Sequence, residues 1–213
     1  MEICYVRSLF WSITGILFFF FYFTPFLVST LPLSNRAHPH FTNASDQEAL
    51  IGFISVITYD PTLSLSATWK QNVSFCEWMR VRCSRRRQRV VSLNVSGMGL
   101  QGIISPLLDN LSFLRILDLS DNKFRGSIPY QLGNLFRLKK LYLYKNQLQD
   151  SIPPTLGGCR SLRILSMKTN NLKGNIPEDL CILPKLYFIH LGRNNLTGTI
   201  PACLGNISFL GSL

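Results

Sequence analysis

Acidic residues, histidines and closely spaced cysteines are scarce in this 213-residue chain. It has 11 Asp plus Glu against 22 Lys plus Arg, so its formal net charge of +11 favours an acidic partner: nucleic acid, anionic lipid, acidic polysaccharide or acidic peptide. With 3 His, 6 Cys and no C-x-x-C pair, the sequence excludes a zinc site built on paired cysteines. The 14 Gly show no collagen-like period, and 46% hydrophobic against 15% charged residues excludes wholesale disorder.

The sequence also lacks the residue sets that support catalysis. Outside the repeat described below there is no Ser/His/Asp set, pair of acids or metal-ligand cluster, so we expect a protein that is not an enzyme and needs no cofactor. Residues 97–102 match the G-x-G-x-x-G pattern of dinucleotide-binding loops. The residues after them, Ile-Ile-Ser-Pro, do not begin a helix whose N-terminus would face a phosphate. We therefore predict no nucleotide site.

The first thirty residues differ from the rest of the chain. Residues 9–28 are almost wholly apolar, Arg7 precedes them, and Ser29 and Thr30 follow. This order predicts a secretory signal peptide over residues 1–30, followed by a linker over 31–44. The apolar run is also long enough to stay as an uncleaved anchor, the one case in which we expect a membrane span. Either outcome places the remainder outside the cell, secreted or at the extracellular face of the plasma membrane.

An oxidising compartment decides how the cysteines are interpreted. Cys76 and Cys83 are a candidate disulfide, and Cys4 lies in the predicted signal peptide. Three further cysteines remain, so at least one is expected to be free or to pair with another chain: Cys159, Cys181 and Cys203. Six N-x-[ST] triplets are typical of a secreted glycoprotein, and they begin at Asn43, Asn72, Asn94, Asn110, Asn195 and Asn206.

A 24-residue repeat dominates the sequence from residue 90 onwards. Five units cover residues 90–209, residues 210–213 open a truncated sixth, and the units begin at Val90, Leu114, Leu138, Leu162 and Leu186. The same positions are apolar in every unit, and in the second unit they are Leu114, Leu117, Leu119, Phe124, Ile128, Leu132 and Leu135. One unit cannot bury enough apolar surface to offset its chain entropy, so neighbouring units must stack. We predict an α/β solenoid with short parallel strands on a concave face.

Other repeated residues indicate how each coil turns. An asparagine recurs at one phase, where its amide can satisfy buried backbone groups: Asn122, Asn146, Asn170 and Asn194. Ile-Pro recurs at 128–129, 152–153, 176–177 and 200–201, and it predicts an extended, non-helical return on the opposite side.

Residues 45–89 are expected to form a cap over the first coil. Residues 45–48 read as a capping box, and an apolar stripe predicts a helix that continues through Ile57 and closes before Pro61. A Cys76–Cys83 disulfide would staple the cap. The arginine run at 85–89 is interpreted as a solvated loop, because a secreted location argues against nucleic acid.

The cap and the repeat together carry the motifs of a known family. The motifs are D-Q-E-A-L at 46–50, Trp69, C-x-W-x-x-V-x-C at 76–83, and coils of the form L-x-x-L-x-L-x-x-N-x-L-x-G-x-I-P. From about residue 46 to the end, the chain resembles the ectodomain of a plant leucine-rich-repeat receptor-like kinase, and the entry at 85–90 is similar to an immune-receptor-like branch. Arg80 and Asp150 depart from the pattern, since the family usually has glycine at both positions. The resemblance implies an N-terminal ectodomain fragment, without the family's membrane span and kinase domain.

The outward-facing strand positions supply the candidate ligand site. Aromatic residues lie among cations in the third and fifth units, a combination enriched at binding surfaces, whereas solvated charges on a concave sheet are the alternative. The candidate ligand-binding residues are Lys139, Lys140, Tyr142, Tyr144, Lys145, Arg163, Lys168, Tyr187, His190 and Arg193. A glycan on Asn94 would occupy this face in the first coil.

We expect an extracellular recognition module for a peptide, protein or acidic saccharide in defence or developmental signalling, with a co-receptor as a further partner and no nucleic acid. One alternative is a secreted inhibitor of a cell-wall hydrolase, similar to the polygalacturonase-inhibiting proteins. The other is a remnant whose open end prevents stable folding.

Overall fold

The computed structural model describes residues 43–70, 72–206 and 209–210. The predicted signal peptide, the linker up to residue 42 and the start of the sixth unit beyond residue 210 lie outside the described residues. Among the helices of the described part, none combines the length and the apolar character that a membrane crossing needs. Two α-helices are described, α1 at Asn43–Ile54 and α2 at Ser64–Thr68.

The described strands are short, and each coil contributes two of them. They are β1 Ile57–Tyr59, β2 Val81–Cys83, β3 Val90–Asn94, β4 Gln101–Ile103, β5 Ile116–Asp118, β6 Lys123–Ser127, β7 Lys140–Tyr142, β8 Gln147–Gln149, β9 Ile164–Ser166, β10 Lys173–Gly174, β11 Phe188–His190, β12 Asn195–Leu196 and β13 Phe209–Leu210.

The main sheet contains one strand from every coil, in the order β13-β11-β9-β7-β5-β3-β2. Neighbouring coils pair in parallel, and only β2, from the cap, is antiparallel to its partner β3. The paired inward side chains are fully buried in the first five coils, at Leu93, Leu117, Leu141, Leu165 and Ile189. The prediction of a solenoid with parallel strands on its concave face is confirmed.

The second strand of each coil lies on a lateral face that the sequence analysis did not predict. It forms the sheets β1-β4-β6-β8 and β10-β12. A 3-10 helix then begins at the proline of Ser105-Pro106 in the first coil and directly after the Ile-Pro step in the other four. These helices cover Pro106–Asn110, Tyr130–Asn134, Pro154–Gly158, Glu178–Ile182 and Ala202–Asn206. The prediction of a non-helical return is therefore wrong beyond the proline. Pro129 itself is extended, but its carbonyl accepts from the Leu132 N–H at 3.1 Å and so starts the helical turn.

The predicted asparagine ladder is confirmed. In the third coil, the Asn146 side-chain amide donates to the carbonyls of Leu119 at 3.0 Å and Leu143 at 3.1 Å. Its oxygen accepts from the Phe124 N–H at 3.0 Å. Equivalent bonds join the other coils through Asn122, Asn170 and Asn194. Each asparagine thus satisfies backbone groups of its own coil and of the preceding one.

The cap covers the apolar end of the first coils, as predicted. Phe53 of α1 is fully buried, and its ring centroid lies 6.0 Å from that of Phe124 in the second coil. The rings of Trp69 and Trp78 stack with centroids 5.2 Å apart. Cys76 and Cys83 form the predicted disulfide.

The boundaries of the cap helix differ from the prediction at both ends. Helix α1 begins at Asn43 rather than at a Ser45 cap, and it ends at Ile54. Ile57, predicted to be helical, lies in β1, which pairs antiparallel with β4. The close approach explains Gly102, because a Cβ there would collide with the carbonyl oxygen of Val56. The last glycine of the G-x-G-x-x-G match therefore accommodates a strand and not a phosphate.

The arginine run is only partly the solvated loop that was predicted. Residues 85–87 are exposed, but Arg89 is buried and forms an ion pair with Asp46 of α1. The prediction is wrong for Arg89 because its partner lies 43 residues earlier in the chain, beyond the reach of local pattern.

Of the three remaining cysteines, two form a disulfide and one is a free thiol. Cys181 and Cys203 form a second disulfide between the 3-10 helices of adjacent coils. Cys159 is free and buried at a leucine position of the repeat, and burial raises the pKa of its thiol to about 12.

Candidate ligand-binding surface

The main sheet arranges outward side chains in columns, one residue per coil. Its register places Asp118, Tyr142, Ser166 and His190 in one column, and Ile116, Lys140, Ile164 and Phe188 in another. Parallel strands are about 4.8 Å apart, so neighbours in a column are within side-chain contact distance.

Three tyrosines, a lysine and a histidine form the centre of this surface. We call Tyr142, Tyr144, Tyr187, Lys168 and His190 the concave cluster. The rings of Tyr142 and Tyr144 meet edge to face with centroids 6.4 Å apart. Burial raises the pKa of Tyr142, and the Asp118 carboxylate and the two other tyrosines raise it further. The Tyr142 hydroxyl is therefore a protonated donor at neutral pH, set in a half-buried aromatic surface.

The histidine of the cluster is neutral at pH 7. Burial lowers the pKa of His190, and the nearby positive charge of Lys168 lowers it further. The His190 ring also meets the Phe188 ring edge to face, with centroids 6.2 Å apart. The fifth coil thus presents a packed pair of rings beside the lysine of the fourth.

The other predicted residues lie around the cluster. Lys140 is half-buried between the isoleucines of its column, and Lys139 and Arg163 lie where the chain enters the strands. Lys145 and Arg193 lie where the chain leaves them, both in the left-handed backbone region with φ of 53° and 58°. Lys145 forms an exposed ion pair with Asp121, in which a carboxylate oxygen lies 3.7 Å from the ammonium nitrogen.

Two residues at the cluster were not among the candidates. Asp118 lies in the Tyr142 column and accepts hydrogen bonds from the Ser120 N–H at 3.1 Å and from the Ser120 hydroxyl. Phe188 packs on His190. Both could have been predicted from the sequence, since each occupies an outward strand position of the repeat. They were not among the candidates because only cations, tyrosines and a histidine were chosen from those positions.

The left-handed backbone at the two departures from the family pattern explains why glycine is usual there. Arg80 has φ of 69° and Asp150 has φ of 63°. Both positions therefore keep the conformation that glycine adopts without strain, with a side chain added.

The predicted glycosylation sites of the described part differ in exposure. Asn72 and Asn195 are exposed, and Asn110 is half-buried. Asn94 lies on the concave face of the first coil, where its oxygen accepts from the Ser96 N–H at 3.0 Å. The side chains of Asn43 and Asn206 lie outside the described part. In the part that is described, no group of three or more His, Cys, Asp or Glu is arranged to hold a metal ion.

Comparison with known proteins identifies the family. The leucine-rich-repeat N-terminal domain matches residues 43–84, and the leucine-rich repeat matches 113–135, 137–159, 161–183 and 185–207. The crystal structure of the BIR2 ectodomain from Arabidopsis thaliana is 33% identical, with a TM-score of 0.70 over 78% of this chain and 91% of that one. The chain belongs to the leucine-rich-repeat proteins, and it is homologous to the ectodomains of plant leucine-rich-repeat receptor kinases. The ectodomain is the part matched, and no kinase region is covered.

Two plant receptor kinases show the extent of the match. The receptor-like serine/threonine-protein kinase EFR of A. thaliana is 45% identical over 93 residues, which are 44% of this chain and 9% of EFR. The chain thus spans under a tenth of the length of this curated relative. The Arabidopsis receptor kinase HAESA, solved with the peptide hormone IDA and the co-receptor SERK1, is 34% identical with a TM-score of 0.70, over 78% of this chain and 28% of that one.

Proposed function

We propose that this leucine-rich-repeat ectodomain is an extracellular recognition module that binds a peptide or protein ligand on its concave face. The observation that carries the proposal is the concave cluster, in which Tyr142 meets Tyr144 edge to face and interacts electrostatically with Tyr187, and Lys168 interacts electrostatically with His190. The solved complex of HAESA with a peptide hormone and a co-receptor supports it, since that ectodomain has the same fold.

We expect binding to be favoured because the aromatic contact area of the concave cluster is already ordered before a ligand arrives. Tyr142 and Tyr144 are half-buried and fix each other edge to face, so a ligand that packs on them freezes few rotatable bonds. Lys140 and Lys168 add positive charge at the edge of this aromatic area, and Asp118 adds one carboxylate. We expect a ligand with an apolar or aromatic anchor and acidic groups on either side. Recognition is by shape and charge, with no covalent step.

The proposal extends to location and partners. Extracellular placement fits both the predicted signal peptide and the extracellular ectodomains that this chain resembles. A co-receptor is proposed as a further partner, and defence or developmental signalling as the setting.

The test is a binding selection with matched variants. The full chain is screened against a display library of random peptides, and the affinity of a recovered peptide is measured by calorimetry. Tyr142→Ala/Lys168→Ala should weaken binding about thirtyfold, as expected for two interface side chains that each contribute about 1 kcal/mol. Tyr130→Ala/Lys123→Ala removes the same residue types from exposed sites away from the concave face and should leave the affinity unchanged.

Equal losses in the two double variants, with both still folded, would reject the concave cluster as the ligand site. An acidic oligosaccharide or a cell-wall hydrolase that binds the wild-type chain through the cluster, where peptides do not, would replace the proposed ligand class with one of the other two expected from the sequence.

A further inference from the structure

Positive charge accumulates along one edge of the solenoid, where the chain turns into the strands of the main sheet. We call the set Arg87, Arg115, Arg137, Lys139, Arg160, Arg163 and Lys185 the basic edge. The turn and first-strand positions 112, 113 and 115, and their equivalents in the next three coils, contain no Asp or Glu. Elsewhere on the solenoid lysines meet carboxylates: Lys145 pairs with Asp121 where the chain leaves the main-sheet strands, and Lys173 pairs with Asp150 on the lateral face, each at 3.7 Å.

Three guanidinium groups lie over one aromatic ring at this edge. Those of Arg87, Arg89 and Arg137 lie 5.4, 4.7 and 4.3 Å from the centroid of Phe113, and that of Arg137 also lies 5.3 Å from the centroid of Phe136. Arg89 is paired with Asp46, but across the described residues no carboxylate oxygen lies within 4.0 Å of the Arg87 or Arg137 guanidinium. Phe113 thus contacts two cations that have no carboxylate partner among the described residues, which is favourable for an incoming anion.

The remaining cations continue the edge as a ladder. The backbone N–H of Lys139 donates to the Arg115 carbonyl at 2.8 Å, and that of Arg163 donates to the Lys139 carbonyl at 2.8 Å. Their side chains therefore start one strand spacing apart, at about 4.8 Å per coil. Arg160 and Lys185 are exposed in the turns next to this column. The result is a line of cations that runs across successive coils, parallel to the solenoid axis.

The charge pattern of this line favours a polymeric anion. Its cations recur in successive coils, and the selected turn and first-strand positions contain no acidic residue. A polyuronate has one carboxylate on every sugar, so its negative charge is continuous along the chain and complements a continuous line of cations. The Phe136 ring, 50% exposed beside Arg137, offers an apolar face to a sugar ring.

We propose that the basic edge is a second binding site, for a linear acidic polysaccharide of the polyuronate class. It differs from the concave cluster, because Phe113, Phe136 and the turn cations lie before the strands rather than on their outward faces. Lys139 and Arg163, also candidates for the concave site, lie at the border between the two sites. The module would therefore bind a polymeric anion along its edge while its concave face remains open to another ligand.

The test uses the full chain with a de-esterified oligogalacturonate as the probe. Its fully methyl-esterified form and a poly-glutamate of equal charge serve as comparison ligands. Arg137→Gln/Arg160→Gln removes two cations from the edge, and Lys123→Gln/Arg125→Gln removes two exposed cations from the lateral sheet at equal net charge. The edge variant should weaken oligogalacturonate binding about tenfold, as expected for two surface ion pairs, and the lateral variant less than about twofold.

Further outcomes decide the assignment. Tyr142→Ala/Lys168→Ala should leave oligogalacturonate affinity unchanged, which separates this site from the proposed peptide site. The double variant Arg160→Glu/Lys185→Glu changes two exposed residues of the edge and leaves the arginines on Phe113 in place. It should also weaken oligogalacturonate binding. Equal weakening by the edge and lateral variants, equal binding of the esterified probe, or equally tight binding of poly-glutamate would overturn the proposal.

Discussion

Arg89 and Asp46 form a bidentate ion pair across 43 residues of sequence. Nη2 of Arg89 lies 2.6 Å from Oδ1 of Asp46, and Nε lies 2.9 Å from Oδ2. The backbone N–H of Val90 donates to the same carboxylate at 2.8 Å. Because Asp46 belongs to α1 and Val90 begins the first repeat strand, this buried pair joins the cap to the solenoid.

Loss of the Asp46 carboxylate should destabilise the fold strongly. Asp46→Ala leaves the buried Arg89 guanidinium without its counter-ion, so we expect the free energy of unfolding to fall by about 3–5 kcal/mol. Lys173→Ala is the control, since it breaks an exposed pair and should cost less than about 1 kcal/mol. Urea denaturation of both variants provides the measurement, and similar losses would contradict the role given to the buried pair.

The asparagine ladder predicts a large effect from one small substitution. Asn146→Ala leaves the buried N–H of Phe124 without its acceptor and removes one of the two amide donors to each of the Leu119 and Leu143 carbonyls, so we expect a loss of about 1–3 kcal/mol. Asn171→Ala, at an exposed position one residue beyond the next ladder asparagine, should change stability little. Thermal unfolding of the two variants tests this, and a near-neutral Asn146→Ala would show that water replaces the amide.

The lateral contact between cap and first coil depends on a glycine. In Gly102→Ala the new Cβ collides with the Val56 carbonyl, so we expect β1 to separate from β4 at a cost of about 3 kcal/mol. Gly126→Ala also has a positive φ, of 76°, but its Cβ would meet nothing closer than 3.6 Å, so its cost should be about 1 kcal/mol. Chemical denaturation ranks the two, and the reverse order would refute the close approach.

The lowered pKa of His190 predicts a pH-dependent stability. The unfolded chain takes up a proton near the ordinary pKa of 6.5, whereas the folded chain does so only at lower pH. The contribution of neutral His190 is therefore present above pH 6.5 and is lost as the pH falls through the lowered pKa. His190→Gln should reduce the fall in the urea midpoint between about pH 7 and 5. An unchanged slope would assign the acid sensitivity to other groups.

The repeat could be predicted from the sequence because its information is local and repeated. Leu117, Leu119 and Asn122 recur every 24 residues, and a position that is apolar in every coil must be shielded by its neighbours. That spacing determines the inward side chains, the outward columns and hence most of the concave cluster.

The features that sequence analysis missed depend on contacts outside the repeat. Ile57 fits the apolar spacing of the preceding helix, and only its pairing with β4 makes it a strand. Arg89 looks like part of a solvated arginine run until its partner on α1 is known. The Cys181–Cys203 bridge had a usable signal, because a separation of 22 residues is close to one coil and places both thiols on adjacent turns.

The most direct test of the central claim is hydroxyl-radical footprinting of the full chain with a ligand recovered from the peptide selection. Tyr142, Tyr144 and Tyr187 should be protected from oxidation when the ligand is bound, because it would cover the concave cluster. Tyr59 and Tyr130, 53% and 65% exposed on other faces, should be oxidised at unchanged rates. Protection of Tyr59 or Tyr130, with the three cluster tyrosines still oxidised freely, would contradict the assignment of ligand binding to the concave face.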